Sequence, residues 1–313
     1  MKIAVLGPGG VGGLIAGALA RAGSEVLVVA RASTAQRIEA RGLHVQSVLL
    51  GDFVAHPRAV PALDERADVL IVATKAAGLE PALARIEQPP SLILPLLNGL
   101  DHLALLRRRF DARSVLAGAI RVEADRPAAG EVVHTSPFLL IDMAARHSSC
   151  GPAMQQLGDE LKRAGVSVRL GYPITERSEA EVMWSKLVRL NALACTTSAH
   201  DKLLGEIRST PELRAELVDA IEEGAAVAQA EGAAGVQAEE AIGELDRAHE
   251  TLGSSMQRDI AAGRPPEVDA IPGAVLRAGA RHGLECPTIE RLVAMIRQRI
   301  AQAPQPPQAA PRG

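Results

Sequence analysis

The chain has 313 residues, 47% of them hydrophobic, and a formal net charge of −3. That length and composition suffice for two domains, each with a core of its own. Because the charge is small and no long basic block occurs, nucleic acid and anionic membrane surfaces are not expected partners, and a small-molecule substrate is the default.

Residues 1–23, MKIAVLGPGGVGGLIAGALARAG, combine a positive residue with an apolar run, as a secretory signal does. Five glycines and a proline between Gly7 and Gly13 interrupt that run. A strand, a tight turn and a helix are therefore the better prediction. No later apolar stretch reaches the ~18 uncharged residues of a membrane-spanning helix, so no membrane partner is expected.

Four short apolar runs, at 2–7, 25–31, 67–75 and 91–99, are typical of buried parallel strands. Helical patterns at 14–22 and 79–86 alternate with them, which predicts an α/β fold with a Rossmann-type doubly wound sheet. After residue 110 come further strands, a helix near 154–164 and a last strand, VSVRL. We expect this domain to cover residues 1–171.

The segment that follows is almost wholly helical, with helices predicted at 179–204, 211–231 and 267–281. An all-α domain is therefore expected over residues 172–302. Residues 303–313 are proline-rich and predict a disordered tail.

A glycine loop, Gly7-Pro8-Gly9-Gly10-Val11-Gly12, follows the first strand and opens a helix. Alone the G-x-G-x-x-G pattern is weak, but in this context its glycines can make a tight turn and let the backbone approach a pyrophosphate. The anion would lie at the helix N-terminus. The alternative is a glycine turn that binds nothing.

The second strand bears on the choice of cofactor. An NAD-selective site usually ends that strand in Asp or Glu, whose carboxylate binds the ribose hydroxyls. Here the strand ends Ala30-Arg31, and an arginine can bind a 2′-phosphate. The prediction is NADP(H), the alternative being a solvated arginine at a strand end.

Lys186 lies in the least polar part of a helical run, in a chain with few lysines. Arginine could carry the same charge, but its pKa is too high for it to release a proton, whereas a desolvated lysine can act as an acid. The alternative is a surface lysine whose stem covers apolar surface.

The three cysteines, Cys150, Cys195 and Cys286, are widely spaced and show no metal-ligand pattern. They predict free thiols, no metal site and a cytoplasmic protein.

Several motifs together resemble the ketopantoate reductases (2-dehydropantoate 2-reductases). The motifs are the glycine loop with Arg31, Thr74-Lys75, Asn98-Gly99, the segment Trp184-Ser185-Lys186-Leu187, and SSMQRDIAAGRPPEVDAIPG at 254–273. The resemblance implies a Rossmann domain joined to a helical domain and NADPH-dependent reduction of a 2-oxo acid, in this family ketopantoate for pantothenate biosynthesis. It leaves a homodimer open.

The resemblance also implies residue roles. Lys186 matches the general acid that protonates the ketone oxygen, and Glu267 the carboxylate that binds substrate and orients that lysine. Asn98 and Ser255 match substrate-binding positions. Lys75 and Asn98 are also expected at the cofactor, together with Gly7, Pro8, Gly9, Gly10, Val11, Gly12 and Arg31.

Structural alternatives exist for three of these residues. Glu267 could simply be a favourable carboxylate in the first turn of a helix, because it follows Pro265-Pro266. Ser255 lies within a capping-box pattern. Asn98 could be a turn residue before Gly99.

Two departures from the family pattern concern the substrate. Many members carry asparagine four residues after the lysine, where this chain has Leu190; its asparagine comes one residue later, at Asn191. One residue along a helix is a rotation of about 100°, so Asn191 cannot simply replace it. Similarly, Leu97 stands where glutamine is common. A more apolar pocket is expected, so a paralogue that reduces a more apolar ketone is one alternative, and a non-catalytic NADP(H)-binding regulator is another.

Overall fold

The computed structural model describes residues 1–302; the tail predicted at 303–313 lies outside this range. The chain divides into two compact units, Met1–Met183 and Trp184 onward. The unit boundary falls later than residue 171 because Val182 and Met183 pack with Ala117, Ala119 and Ala144 of the first unit. The domain limits predicted from the sequence remain a prediction.

The first unit contains the expected parallel sheet, with strand order β5-β2-β1-β6-β7 and every neighbouring pair parallel. Buried aliphatic side chains cover both faces, as in a doubly wound fold. The strands are β1 (Lys2–Leu6), β2 (Glu25–Val29), β5 (Arg58–Val60), β6 (Val69–Val72) and β7 (Leu92–Pro95). The helices of this unit are α1 (Gly10–Arg21), α2 (Ala32–Arg41), α3 (Leu79–Leu83), α4 (Asp101–Arg109) and α5 (Gly151–Arg163).

Two smaller sheets complete the first unit, in the orders β4-β3-β10-β9 and β12-β11-β8. Their strands are β3 (Leu43–Ser47), β4 (Phe53–Ala55), β8 (Ala117–Arg121), β9 (Ala124–Asp125), β10 (Glu131–His134), β11 (Leu140–Ala144) and β12 (Ser167–Leu170). The strands expected after residue 110 are therefore present. Strands β3, β4 and β5 were not predicted, because β4 and β5 have only three residues each and polar residues interrupt the apolar pattern of β3.

Glycines on α1 let the four-stranded sheet pack closely on that helix. A Cβ on Gly13 would lie 2.7 Å from Val132 of β10, and one on Gly17 would lie 3.0 Å from Val45 of β3. Larger side chains would push the sheet away. The glycine-rich start of the chain thus serves packing as well as the loop.

The second unit is all-helical over the part that the structure describes, as predicted. Its helices are α6 (Glu179–His200, which begins before the unit boundary), α7 (Leu204–Ser209), α8 (Pro211–Ala230), α9 (Ala238–Arg247), α10 (Ser255–Ala261), α11 (Pro272–Arg281) and α12 (Pro287–Gln302). Trp184 is buried in the core. Across residues 1–302, none of the helices combines the length and apolar character that crossing a membrane requires.

Candidate active site

The glycine loop connects β1 to α1. Gly7 has a φ of +91°, which a residue with a side chain rarely adopts. A Cβ on Gly12 would lie 2.2 Å from the carbonyl oxygen of Gly7, so the loop closes only around glycine. At Gly9, by contrast, a Cβ would meet nothing within 4 Å. Two of the glycines shape the turn, and the third leaves space in front of it.

That space leaves the N-terminus of α1 accessible to an anion. Gly9 is the N-cap of α1 and makes no side-chain cap hydrogen bond, so the first-turn N–H groups can bind an anion. The hydroxyl of Thr74 is buried beside the loop, and its Oγ1 has no hydrogen-bond partner among residues 1–302; its Cγ2 lies 2.7 Å from where a Cβ of Gly7 would be. A buried hydroxyl without a partner is costly unless a ligand satisfies it.

Two alanine substitutions should separate the roles of these glycines. Gly12→Ala should destabilise the protein, because the added methyl meets backbone that cannot move aside. Gly9→Ala should leave the thermal midpoint close to that of the parent yet weaken cofactor binding, because the methyl occupies only the open space. Thermal unfolding and a fluorescence titration with NADPH measure both effects. Equal cofactor affinity in Gly9→Ala and parent would contradict this role for Gly9.

Arg31 follows β2 and Lys75 follows β6, the two strands that flank β1 in the parallel sheet. Arg31 is the N-cap residue of α2, and its side chain is exposed, with no hydrogen bond or ion pair to any part of the chain that the structure describes. Lys75 is exposed and precedes a 3-10 turn at Ala76–Gly78. Both lie at the carboxyl end of the parallel sheet, the edge at which such sheets bind ligands.

Asn98 follows β7 at the same edge. It is half-buried. Gly99 beside it has a φ of +81°, so the turn requires a glycine at position 99 but does not require an asparagine at position 98. Leu97 is 3% exposed and packs in the core cluster that contains Val72 and Leu106. The expectation that Leu97 makes the pocket more apolar was therefore wrong, since its side chain belongs to the core.

On α6, Lys186 and Leu190 are both half-buried, and their spacing of four residues places them on one face of the helix. Asn191 is 0% exposed; its Oδ1 accepts a hydrogen bond from the Cys195 thiol at 3.5 Å. Its Nδ2 has no partner within the described chain. Asn191 thus does not take the place of a pocket asparagine, and Leu190 is the residue beside Lys186.

Ser254, not Ser255, is the N-cap residue of α10. Its hydroxyl accepts a hydrogen bond from the backbone N–H of Gln257 at 3.1 Å, and its side chain is buried. Ser255 is exposed at the first position of the helix. Capping therefore does not account for Ser255, whose role in substrate binding remains a prediction.

Glu267 lies in the loop between α10 and α11. The helix predicted from Glu267 to Arg281 begins only at Pro272, so the first-turn explanation of this carboxylate was wrong. The Glu267 carbonyl accepts a hydrogen bond from the Ile271 N–H, and the turn that this bond closes leads directly into α11. At the start of the loop Arg264 Nε lies 2.9 Å from Asp259 Oδ1. The half-buried Glu267 side chain thus precedes α11 and does not belong to its first turn.

The structure thus arranges the predicted residues in two groups. The candidates of the first unit all follow strands of the parallel sheet: Gly7, Pro8, Gly9, Gly10, Val11, Gly12, Arg31, Lys75 and Asn98. Those of the second unit lie on α6, on α10 and in the loop after α10: Lys186, Ser255 and Glu267. A direct pairing of Lys186 with Glu267 remains a prediction.

The three cysteines are buried free thiols, as predicted. Burial, helped by the charge of Glu223, raises the pKa of Cys195 to about 12 and that of Cys286 to about 11. Burial also raises the pKa of Cys150. The thiols therefore stay protonated at neutral pH and are poor nucleophiles.

Comparison with known proteins covers nearly the whole chain. Two family models, described as "Ketopantoate reductase PanE/ApbA" and "Ketopantoate reductase PanE/ApbA C terminal", match residues 3–141 and 180–300. An uncharacterised oxidoreductase of Bacillus subtilis is 27% identical over 96% of this chain and 100% of its own. The 2-dehydropantoate 2-reductase of Mycobacterium tuberculosis is 29% identical over 94% and 96% of the two chains. A D-mandelate dehydrogenase solved with NADH and anilino(oxo)acetate is 22% identical, with a TM-score of 0.84 over 96% of this chain and 99% of that one. It has the same fold.

Proposed function

The chain belongs to the ketopantoate reductase family of oxidoreductases, which act on CH–OH groups, and from that premise we propose that it reduces a small 2-oxo acid with NADPH. The first candidate substrate is 2-dehydropantoate, the 2-oxo acid in the names of several relatives. The observation that carries the proposal is the position of Lys186, a half-buried lysine on a core helix of the second unit.

The first unit supplies the cofactor-binding groups in this proposal. The glycine loop would hold the pyrophosphate at the N-terminus of α1, and Thr74 could hydrogen-bond the cofactor. Arg31 would bind the 2′-phosphate, and its exposed side chain, which has no hydrogen bond or ion pair among residues 1–302, supports that role. When bound, NADPH supplies the hydride.

Lys186 acts as the general acid. As the carbonyl carbon gains hydride, negative charge develops on its oxygen; the Lys186 ammonium stabilises that charge and donates the proton. Glu267 would hold substrate and orient the ammonium, and its place in the loop between α10 and α11, outside the first turn of α11, supports a role in chemistry. Asn98 and Ser255 would hydrogen-bond the substrate.

A different ketone is the second candidate substrate. Leu190 favours it, because this apolar side chain stands one turn from Lys186 on the same face of α6. The D-mandelate dehydrogenase of the same fold supports an aryl 2-oxo acid as one such ketone. The non-catalytic regulator is the weaker alternative, because the chain retains both Lys186 and Glu267.

A substrate panel tests the proposal. NADPH oxidation is measured with 2-dehydropantoate, a branched aliphatic 2-oxo acid and phenylglyoxylate. The highest kcat/KM on 2-dehydropantoate would support the first candidate, and the highest on either apolar acid would support the second. NADPH binding without oxidation on any member of the panel would overturn the proposed reductase and favour the regulator.

Replacing Arg31 by alanine tests the cofactor choice. We expect NADPH binding to weaken by at least ~1.5 kcal/mol, the scale of a hydrogen bond to a charged group. NADH should lose far less, because it has no 2′-phosphate. Titrations of both cofactors on parent and variant measure the difference; equal losses would contradict the assignment. Arg41, exposed in the last turn of the same helix, offers a matched control whose replacement should change neither affinity.

A further inference from the structure

A partly buried ion pair joins the start of α6 to α4. Arg107 NH2 lies 2.5 Å from Glu179 Oε1, and the two side chains are only 16% and 18% exposed. The same NH2 also donates to the Val115 carbonyl at 3.3 Å. Because Glu179 is the first residue of α6, the pair acts on the end of that helix.

Two further features define the position of this first turn. Ser178 and Glu181 form a capping box: the Ser178 N–H donates to Glu181 Oε2 at 2.8 Å, and the Glu181 N–H donates to Ser178 Oγ at 3.2 Å. Val182 and Met183 belong to a small core cluster. The start of α6 is thus held by polar and apolar contacts within the first unit.

The same cluster includes side chains at the start of α4. Leu100, the N-cap residue of α4, and Leu103 in its first turn pack against the buried residues that include Val182 and Met183. Helices α4 and α6 are therefore linked at two places: through this apolar cluster at the start of α4, and through Arg107 near its end.

These two helices are next to residues of the proposed reaction. Asn98 lies three residues before α4 begins at Asp101. Lys186 lies seven residues after Glu179 on α6, about two helical turns or ~10 Å along the axis and on the same side of the helix. A rotation or shift of the first turn of α6 would be passed along the rigid helix to the lysine.

We propose that Arg107 and Glu179 are positioning residues for the reaction: their ion pair sets the rotation and height of α6 and thereby the place of the Lys186 ammonium. The proposal rests on the proposed role of Lys186 as the acid. It assigns no contact with substrate or cofactor to either residue of the pair.

The environment of the Glu179 carboxylate makes its charge depend on Arg107. Burial raises the pKa of the Glu179 carboxyl, while Arg107 lowers it, with smaller contributions from Arg146 and His147. Removing one partner would therefore leave the other charge buried without it, which destabilises proteins. A variant that replaces both Arg107 and Glu179 is therefore needed, so that no charge is left buried without its partner.

The main variant is the double replacement Arg107→Met with Glu179→Leu. Apolar pairs of similar size often preserve stability at a buried ion pair, so this protein should unfold near the temperature of the parent. We expect its kcat to fall roughly 10- to 100-fold, because small misplacements of a reacting group have effects of that size. The Kd for NADPH, measured by fluorescence, should stay within about twofold. The solvent deuterium isotope effect on kcat should rise, because proton transfer becomes slower relative to the other steps.

Glu179→Gln is the single-residue variant. The control is a second ion pair between helices, Arg214 with Asp246. Arg214 lies 2.6 Å and 3.0 Å from the two oxygens of Asp246 and joins α8 to α9. Arg214→Met with Asp246→Leu should leave kcat and the isotope effect unchanged. A folded Arg107→Met, Glu179→Leu protein with the kcat and isotope effect of the parent would overturn the proposal, even if Glu179→Gln failed to fold. Lys186→Ala in the same assays separates the two hypotheses. A fully active Lys186→Ala protein would show that Lys186 is not the acid. An inactive Lys186→Ala protein beside fully active variants of the Arg107–Glu179 pair would show that the pair does not position the lysine.

Discussion

Replacing Lys186 by alanine is expected to slow NADPH-dependent reduction of the preferred 2-oxo acid by roughly 10²- to 10⁴-fold, the range that a positioned general acid contributes. The variant loses both the proton donor and the positive charge that stabilises the developing alkoxide. Lys186 is half-buried on α6 and alanine is a strong helix former, so folding should survive, and thermal unfolding of the variant checks this. Steady-state and single-turnover oxidation of NADPH measure the loss.

Lys202 provides the matched control. It follows the C-terminus of α6, is exposed and lies 2.9 Å from Glu206. An exposed ion pair of this kind contributes at most about 1 kcal/mol to stability, so Lys202→Ala should keep both fold and activity. A Lys186→Ala protein as fast as Lys202→Ala would remove Lys186 from the chemistry, whereas NADPH affinity should be similar in both.

Replacing Asp142 by alanine is expected to lower the free energy of unfolding by about 3–5 kcal/mol, the effect of removing one partner of a buried ion pair. Asp142 is 0% exposed on β11. Its Oδ1 lies 2.5 Å from Arg169 Nε and 2.8 Å from Arg177 NH1, while Arg169 NH2 lies 2.9 Å from Oδ2. Arg121 Nε lies 3.9 Å from Oδ2. Without the carboxylate, the guanidinium groups lose the anion around which they pack.

This contribution should depend on pH in one direction. Burial alone would raise the pKa of Asp142, but hydrogen bonds and charge from Arg169 and Arg177 hold it below its usual value of 3.8. A carboxyl whose pKa is lowered in the native state stabilises the protein above its unfolded pKa and loses that contribution as the pH falls. The difference between parent and variant should therefore be full at pH 7 and shrink below about pH 4.

Urea unfolding at several pH values gives that difference directly. Asp159→Ala serves as the control, because Asp159 is 59% exposed and lies 4.0 Å from Lys162. Its replacement should change stability by less than about 1 kcal/mol at every pH. A cost for Asp142→Ala no larger than for Asp159→Ala would show that the arginines do not depend on the buried carboxylate.

Much of the fold was predictable because its signals are local. The strand β1, the glycine turn and α1 follow one another along the chain, and each depends on neighbours within a few residues. The uninterrupted apolar runs of β6 and β7 likewise predicted buried parallel strands. The short strands β3 and β4 lacked such runs, because only alternate residues of β3 face the core.

Two predictions at the candidate site were wrong because they used local sequence patterns, whereas tertiary packing decides where α11 begins and whether Leu97 is buried. Pro265-Pro266 before Glu267 suggested a helix start, but the chain makes a turn at 268–271 and α11 begins only at Pro272. Leu97, at a position where the family commonly has glutamine, suggested a more apolar pocket, yet it packs in the core. Tertiary packing decides both where α11 begins and whether Leu97 is buried, and it depends on residues far away in the sequence.

By itself, the sequence determined the family, the class of reaction and most candidate residues, because glycines, a strand-end arginine and a lysine in an apolar helix act through chemistry that residue type and local order reveal. Only the tertiary structure decided that Leu97 packs in the core and that Glu267 lies before α11. It alone revealed the ion pair of Arg107 with Glu179, whose partners are 72 residues apart. Such a pairing leaves no local pattern, because it forms only when two distant helices pack and exclude water from both charges.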